Sequence, residues 1–279
     1  MRPAGAIVAA LLLLVTPARA DDLMFMGNFV QGGLVQGRVA PGAKVTVDGR
    51  AMRVGPDGDF LVGFGRDSRD VTLVVSYPDG RSQTRTLAVE KRSWQIQRVD
   101  GLPQQTVTPN EEELKRIRAE AALASEARKV DSAEPLFRTG FIWPATGPIS
   151  GVYGSQRILN GEPRAPHFGV DIAAPPGTPV VATADGIVTL AYQDMLLSGK
   201  TLIIDHGYGL SSVYYHLSEI VVAPGARVRQ GQTVGKVGAT GRATGPHLHW
   251  GMNLFDIRLD PALLVPPMPP TQANGAVIR

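Results

Sequence analysis

Apolar residues in the first third of this chain come in short alternating runs cut by Asp-Gly turns. Lys44-Val45-Thr46-Val47-Asp48 leads into Asp48-Gly49, Met52-Arg53-Val54 into Asp57-Gly58, and Phe60-Leu61-Val62 follows. Val71 to Tyr77 turns at Asp79-Gly80 and returns over Thr84 to Val89. Period-two alternation marks half-buried strands, and Asp-Gly between such runs marks tight hairpins. Residues 21–98 are therefore predicted to form a small Ig-like β domain. This stretch has no histidine and no clustered carboxylates, so it reads as a folding, spacing or partner-binding module.

Residues 109–130 carry the helical pattern. Leu114, Ile117, Ala121 and Ala124 or Ser125 fall at helical spacing, while Lys115, Arg116 and Arg118 keep the rest polar. Thr108 is the expected N-cap, Pro109 suits the first turn, and Glu111-Glu112-Glu113 favour the positive end of the helix dipole. The run is too short for a coiled coil, so residues 99–137 are predicted to be a helical connector packing on one or both neighbours. From 138 to 265 Gly and Pro turns separate the runs Val180-Val181, Gly186 to Leu190, Thr201 to Ile204, Ser212 to Tyr215, Gln232 to Val237 and Leu248 to Leu254. Those runs predict an all-β, mainly antiparallel domain, followed by a loose Pro-rich tail over 266–279.

Composition adds three constraints. Arg2, the apolar run Ala4 to Val15 and the A-x-A site Ala18-Arg19-Ala20 read as a signal peptide over 1–20. That run is too short to span a bilayer, and no later segment is apolar enough to do so. The expected location is outside the cytoplasm, periplasmic or secreted, with no stable membrane insertion once the leader is removed. The formal charge is +3 and falls to +1 without Arg2 and Arg19, with no Lys/Arg block to bind nucleic acid. There is no cysteine, so disulfides are excluded and a zinc site here must use histidine and carboxylate.

All five histidines, His167, His206, His216, His247 and His249, lie in the last domain. His167 and Asp171 form H-x-x-x-D, a spacing that puts both side chains on one face of a strand. His247-Leu248-His249 is H-x-H, and Gly245-Pro246 before it disfavours a helix. In a strand the two imidazoles share a face while Leu248 and Trp250 point into the core. Two polar rings on one strand face are costly to bury without partners, which favours metal binding or catalysis over packing. Tyr214 and His216 are expected on one face of another strand. His206, in Asp205-His206-Gly207-Tyr208-Gly209, reads as a turn residue without a role. Zinc in hydrolases takes three protein ligands and an open position. His167, Asp171 and one of the H-x-H pair supply three. No H-E-x-x-H helix offers a glutamate base, so the remaining histidines are left for proton transfer.

The motifs HFGVDIAAPPGTPVVATADGIV, IIDHGYG, YYHLS, the run from Val228 to Gly238, ATGRATGPHLHW and Asp260-Pro261 occur in this order. Over roughly residues 140–263 the chain resembles the LytM/lysostaphin-type zinc metallopeptidases, many of which cut peptide cross-links in bacterial peptidoglycan. The resemblance implies Zn2+ held by His167, Asp171 and His249, with His216 and His247 as catalytic histidines. None of these positions is missing. It further implies peptidoglycan peptide stems as partners, either a D-Ala–diaminopimelate cross-link or a Gly–Gly bridge. Arg157 or Arg164, in the loop before the first motif, and Tyr214 are candidate substrate contacts. Two competing readings are a non-catalytic wall-binding or amidase-activating protein of the same fold, and a secreted protease acting on Gly-rich proteins.

Overall fold

The computed structural model describes residues 23–100 and 109–269. The expected leader and most of the Pro-rich tail lie outside the described residues. Ahead of the helix run β1 (Met24–Gly27), β2 (Leu34–Arg38), β3 (Lys44–Val47), β4 (Arg50–Met52), β5 (Asp59–Gly63), β6 (Val71–Ser76), β7 (Ser82–Leu87) and β8 (Ile96–Val99). β1-β2-β5 and β4-β3-β6-β7 are two antiparallel sheets. Their inner faces share one core: Val35, Phe60 and Val62 from the first meet Val45, Leu73 and Val75 from the second. Alternation drives this, since β6 buries Val71, Leu73 and Val75 while Thr72 and Ser76 face water.

The helix α1 (Glu111–Arg128) starts at Asn110, not at Thr108. Asn110 accepts from the Glu113 amide, and the Glu113 carboxylate accepts from the Asn110 amide, each at 2.9 Å. This capping box satisfies two donors at once, and Thr108 lies outside the described residues. Of the expected stripe Leu114, Ile117, Ala121 and Ala124 or Ser125, only Ala124 is fully buried. The buried face consists of Glu120, Ala124, Ala127 and Arg128, with Ala124 and Ala127 packing on Ile203 and Val213 of the next sheet.

Beyond α1 come β9 (Ile149–Gly151), β10 (Gln156–Leu159), β11 (Glu162–Pro163), β12 (Val170–Ala173), β13 (Pro179–Val181), β14 (Gly186–Met195) and β15 (Gly199–Asp205). β16 (Leu210–Ile220), β17 (Arg227–Val228), β18 (Thr233–Val237), β19 (His247–Leu254) and β20 (Ile257–Leu259) follow. The main sheet has the order β17-β14-β15-β16-β19-β12-β9, with β18 pairing β13 and β16, and β20 pairing β19. A small third sheet joins β8, in parallel, to β10 and then to β11.

One face of the main sheet carries the core. Leu248, Trp250, Met252 and Leu254 from β19 pack with Tyr214, Leu202, Ile204, Val180 and Val237. Each fully buried large apolar side chain contributes about 1.5–3 kcal/mol. Leu34 and Leu61 of the first sheet join this core. Across the junction Arg138 reaches Asp59, which Arg38 also holds from the neighbouring strand, and Arg92 reaches Asp260 at 2.8 Å. The opposite face of β16 and β19 is left for α1 and for polar side chains.

Candidate metal centre

Three neighbouring strands supply the floor of the site. Register sets Asp171 of β12 opposite His249 of β19, and His249 opposite Tyr215 of β16. Because Leu248 and Trp250 are sequestered in the core, His247 and His249 are turned to the other face. His167 is not a strand neighbour of Asp171, contrary to the period-two expectation, because β12 begins only at Val170. A loop brings it in: the His167 amide donates to the Ser155 carbonyl, its carbonyl accepts from the Gly154 amide, both at 2.8 Å, and Nδ1 donates to the Val152 carbonyl at 3.0 Å.

The result is a tight triangle. His167 Nε2, Asp171 Oδ1 and His249 Nδ1 are each 2.9 Å from the other two. With Nδ1 of His167 committed to a carbonyl, its Nε2 points to the same place, hydrogen-bonded to Asp171 here and a lone pair for a metal once that proton is released. Two imidazole nitrogens and a carboxylate oxygen converging there are a donor set suited to a divalent metal. Burial opposes charge on Asp171, yet the hydrogen bonds from His167 and His249 hold its carboxyl far below the usual carboxylate range. Burial pushes His249 down to about 4, which keeps that ring neutral as a ligand must be. Burial also pulls on His167, but Asp171 outweighs it and lifts this histidine above its ordinary value.

Two glycines make room. A Cβ at Gly151 would lie 2.3 Å from the Asp171 carboxylate, and one at Gly169 would lie 2.7 Å from the His249 ring. Tyr215 lies flat on His249, with ring centroids 4.9 Å apart and planes 5° apart. None of these three neighbours was expected from the sequence. Tyr215 was the discoverable one, adjacent to His216 and directly paired with His249.

His216 and His247 complete the cluster. Their ring centroids are 4.8 Å apart, and His247 Nε2 is 3.9 Å from Asp171 Oδ1. Each Nδ1 donates to a backbone carbonyl at 2.8 Å, His216 to Thr240 and His247 to Gly245. In that tautomer both Nε2 atoms are left as proton acceptors. Burial holds His216 below its ordinary pKa. His216 also has φ +62, a left-handed conformation rare outside glycine. It sits where the β15–β16 register shifts between Lys200 and Leu202.

That irregularity corrects one site residue. Tyr214 does not face the cleft with His216. It is 0% exposed, and its hydroxyl accepts from the Thr183 amide and the Ser212 hydroxyl. The alternation breaks at His216, so Tyr214 belongs to the core and Tyr215 to the site. His206 lies in a turn as expected but is fully buried, its ring nitrogens bonded to the Asp185 carbonyl at 2.6 Å and the Ser212 hydroxyl at 2.7 Å. Arg157, exposed on β10, is near enough for its charge to be felt at His167. The Arg164 backbone closes the β10–β11 hairpin, its amide N–H donating to the Arg157 carbonyl at 2.8 Å.

Known proteins resemble this chain in sequence and fold. A family model described as peptidase family M23 matches residues 165–261. The DD-carboxypeptidase/endopeptidase Mpg of Neisseria meningitidis is 42% identical over 111 residues, 39% of this chain and 25% of that protein. The peptidoglycan DD-endopeptidase ShyA of Vibrio cholerae is 45% identical over 86 residues, 31% of this chain and 20% of that protein. The chain thus spans about a quarter or less of the length of these curated relatives. A solved structure from Pseudomonas aeruginosa, described as an M23 peptidase, is 32% identical with a TM-score of 0.64 and covers 84% of this chain and 94% of that one.

Proposed function

Starting from a chain that belongs to peptidase family M23, we propose an exported zinc endopeptidase that hydrolyses peptide cross-links of peptidoglycan. The observation that carries this reading is the 2.9 Å triangle of His167, Asp171 and His249 with His216 and His247 beside it. The donor set N, N, O without sulfur fits zinc in a hydrolytic site, where three protein ligands leave a position for water. Zinc held there lowers the pKa of a water and polarises a scissile carbonyl.

The chain's own groups handle the protons. His216, with Nδ1 bonded to Thr240, keeps a neutral Nε2 near pH 7. His247, with Nδ1 bonded to Gly245, offers a second Nε2 on the same side. One proton leaves the attacking water for this pair, and one returns from the pair to the departing amine. A protonated ring of the pair also stabilises the oxyanion as it develops. Arg157, exposed on β10, suits a substrate carboxylate. Relatives named as DD-endopeptidases favour the D-Ala–diaminopimelate link over a Gly–Gly bridge, and action on the wall agrees with the leader read over 1–20.

The deciding experiment is digestion of defined cross-linked muropeptides followed by mass analysis. The parent chain is expected to release the uncross-linked stems. His249→Ala is expected to lose zinc and hydrolysis together, while His216→Ala keeps zinc and loses about 100-fold or more in turnover. Full activity in a zinc-free His249→Ala protein overturns the site, and cleavage of Gly-rich peptides with no attack on muropeptides overturns the substrate.

A further inference from the structure

We propose that Glu120, on the connector helix, is a positioning residue for His216; this rests on the catalytic reading of His216 given above. Glu120 is an unusual residue to find on the buried face of α1, at 7% exposure. Its Oε1 accepts from Arg116 Nε at 2.7 Å, and its Oε2 accepts from the Leu196 amide at 2.8 Å. Arg116 also donates to the carbonyl and carboxylate of Asp194. Together the two side chains grip the tip of the β14–β15 hairpin over 194–196.

That tip in turn holds His216. The Ser198 carbonyl accepts from the His216 amide at 2.8 Å, and the Leu197 carbonyl accepts from the Arg242 amide at 2.8 Å. The Lys200 amide donates to Thr240 Oγ1 at 2.9 Å, Thr240 Oγ1 donates to the Leu217 carbonyl at 2.7 Å, and the Thr240 carbonyl takes Nδ1 of His216. Both bonds that fix His216, at its amide and at its ring, therefore lead back to the hairpin tip. The packing is close: a Cβ on Gly199 would meet Thr240 Oγ1 at 2.3 Å, and one on Gly241 would meet the Gly199 amide nitrogen at 2.3 Å.

The conformation of His216 makes this support necessary. A non-glycine residue at φ +62 persists only where its surroundings over-determine it. Withdrawing the Glu120 bond leaves the part-buried Leu196 amide without its acceptor, and the tip can relax. His216 then loses the amide partner that compensates its strain, and its Nε2 swings off target. Ångström-scale misplacement of a catalytic group is sufficient to slow a reaction strongly. The connector thus acts on the chemistry without touching substrate or metal.

The test uses the full chain with Glu120→Ala, Glu120→Gln and Arg116→Ala, and Arg53→Ala as control. Arg53 bonds Asp131 just past the helix, so its loss loosens the connector at the far end from the tip. Glu120→Ala is expected to lower kcat on cross-linked muropeptide about tenfold or more, with KM and zinc content unchanged. Glu120→Gln, which keeps an acceptor for the Leu196 amide, should return most of that loss, and Arg53→Ala should leave kcat at the parental value. Arg116→Ala, at an exposed position, should lower kcat about threefold, read on the fraction that unfolds cooperatively. In parallel, the NMR resonance of the His216 Nδ1 proton should be present in the parent and weakened in Glu120→Ala. Parental kcat and an unchanged resonance in both Glu120→Ala and Arg116→Ala overturn the proposal, as does a kcat loss shared by Arg53→Ala. Should the parent itself cleave nothing, the catalytic reading fails, while the resonance still decides whether Glu120 positions His216.

Discussion

His206 is the histidine that stands apart from the cluster, and replacing it separates a folding role from a catalytic one. Burial pushes its pKa down to about 4 from the ordinary 6.5. Above about pH 6.5 the ring is neutral in both folded and unfolded chains, and the stability it supports is fully present. Between pH 6.5 and 4 the unfolded chain binds a proton that the folded chain excludes, so stability falls with pH by up to about 1.4 kcal/mol per unit. From pH 7 to pH 5 the loss comes to about 2 kcal/mol, and by pH 4 to about 3 kcal/mol. His206→Gln removes this titration. It also forfeits at least one of the bonds to the Asp185 carbonyl and the Ser212 hydroxyl, costing about 2 kcal/mol at pH 7. The assay is denaturant unfolding of both proteins at pH 7 and pH 5. The gap between them is expected to shrink by about 2 kcal/mol at the lower pH, since every other titrating group is common to both and cancels. At pH 7 kcat on muropeptides should be unchanged below the unfolding transition. An equal gap at the two pH values refutes the reasoning, and a large loss of kcat in folded His206→Gln would move this ring into the site.

Other substitutions test other parts of the structure. Gly169→Ala drives a methyl to within 2.7 Å of the His249 ring and is expected to weaken zinc binding about tenfold or more, read by calorimetric titration of the metal-stripped chain. Tyr214→Phe leaves the Thr183 amide and Ser212 hydroxyl short of a partner; it should cost about 1–3 kcal/mol in denaturant unfolding with kcat and KM intact, because this ring does not reach the cleft. Asp59 is buried, which raises a carboxyl pKa, but Arg38 and Arg138 overcome this and hold it below its ordinary value. Its stabilisation is therefore present above about pH 4 and lost as pH falls through the folded-state value, so Asp59→Asn should lower stability by about 1–2 kcal/mol at pH 7 and by progressively less toward pH 3 in acid titrations.

How much of this was legible in the sequence varies with how local the determinant is. H-x-H after Gly-Pro gave a strand with both rings on one face, because alternation needs only neighbouring residues, and β19 shows it. The Asp-Gly turns located the first hairpins for the same reason. His167 joined Asp171 for a reason that spacing could not reveal. Its backbone is tied to Gly154 and Ser155, more than ten residues upstream, and the loop rather than a strand face delivers the ring. The buried stripe of α1 agrees with the hydrophobic spacing only at Ala124, because a helix with few apolar residues takes its inner face from its partner. Glu120 is buried since an amide of the β14–β15 hairpin needs an acceptor there, and hydrophobic spacing carries no trace of that.

The choice between Tyr214 and Tyr215 shows why a site can be misread by one residue. In an unbroken strand, Tyr214 and His216 share a face, and placing His216 in the cleft places Tyr214 there too. The two demands conflict, because β19 has Trp250 opposite Tyr214 and His249 opposite Tyr215, which fixes Tyr214 to the core side. A residue in the left-handed region resolves the conflict by turning His216 to the side of Tyr215. The strain of that turn is borne where the chemistry is, and it is compensated by bonds to Ser198 and Thr240, far from His216 in sequence. Regular alternation is thus a reliable guide to the parts of this sheet that only pack. Where four histidines must face one another, the strand departs from alternation, and the departure itself identifies His216 as the ring whose position the rest of the fold is arranged to hold.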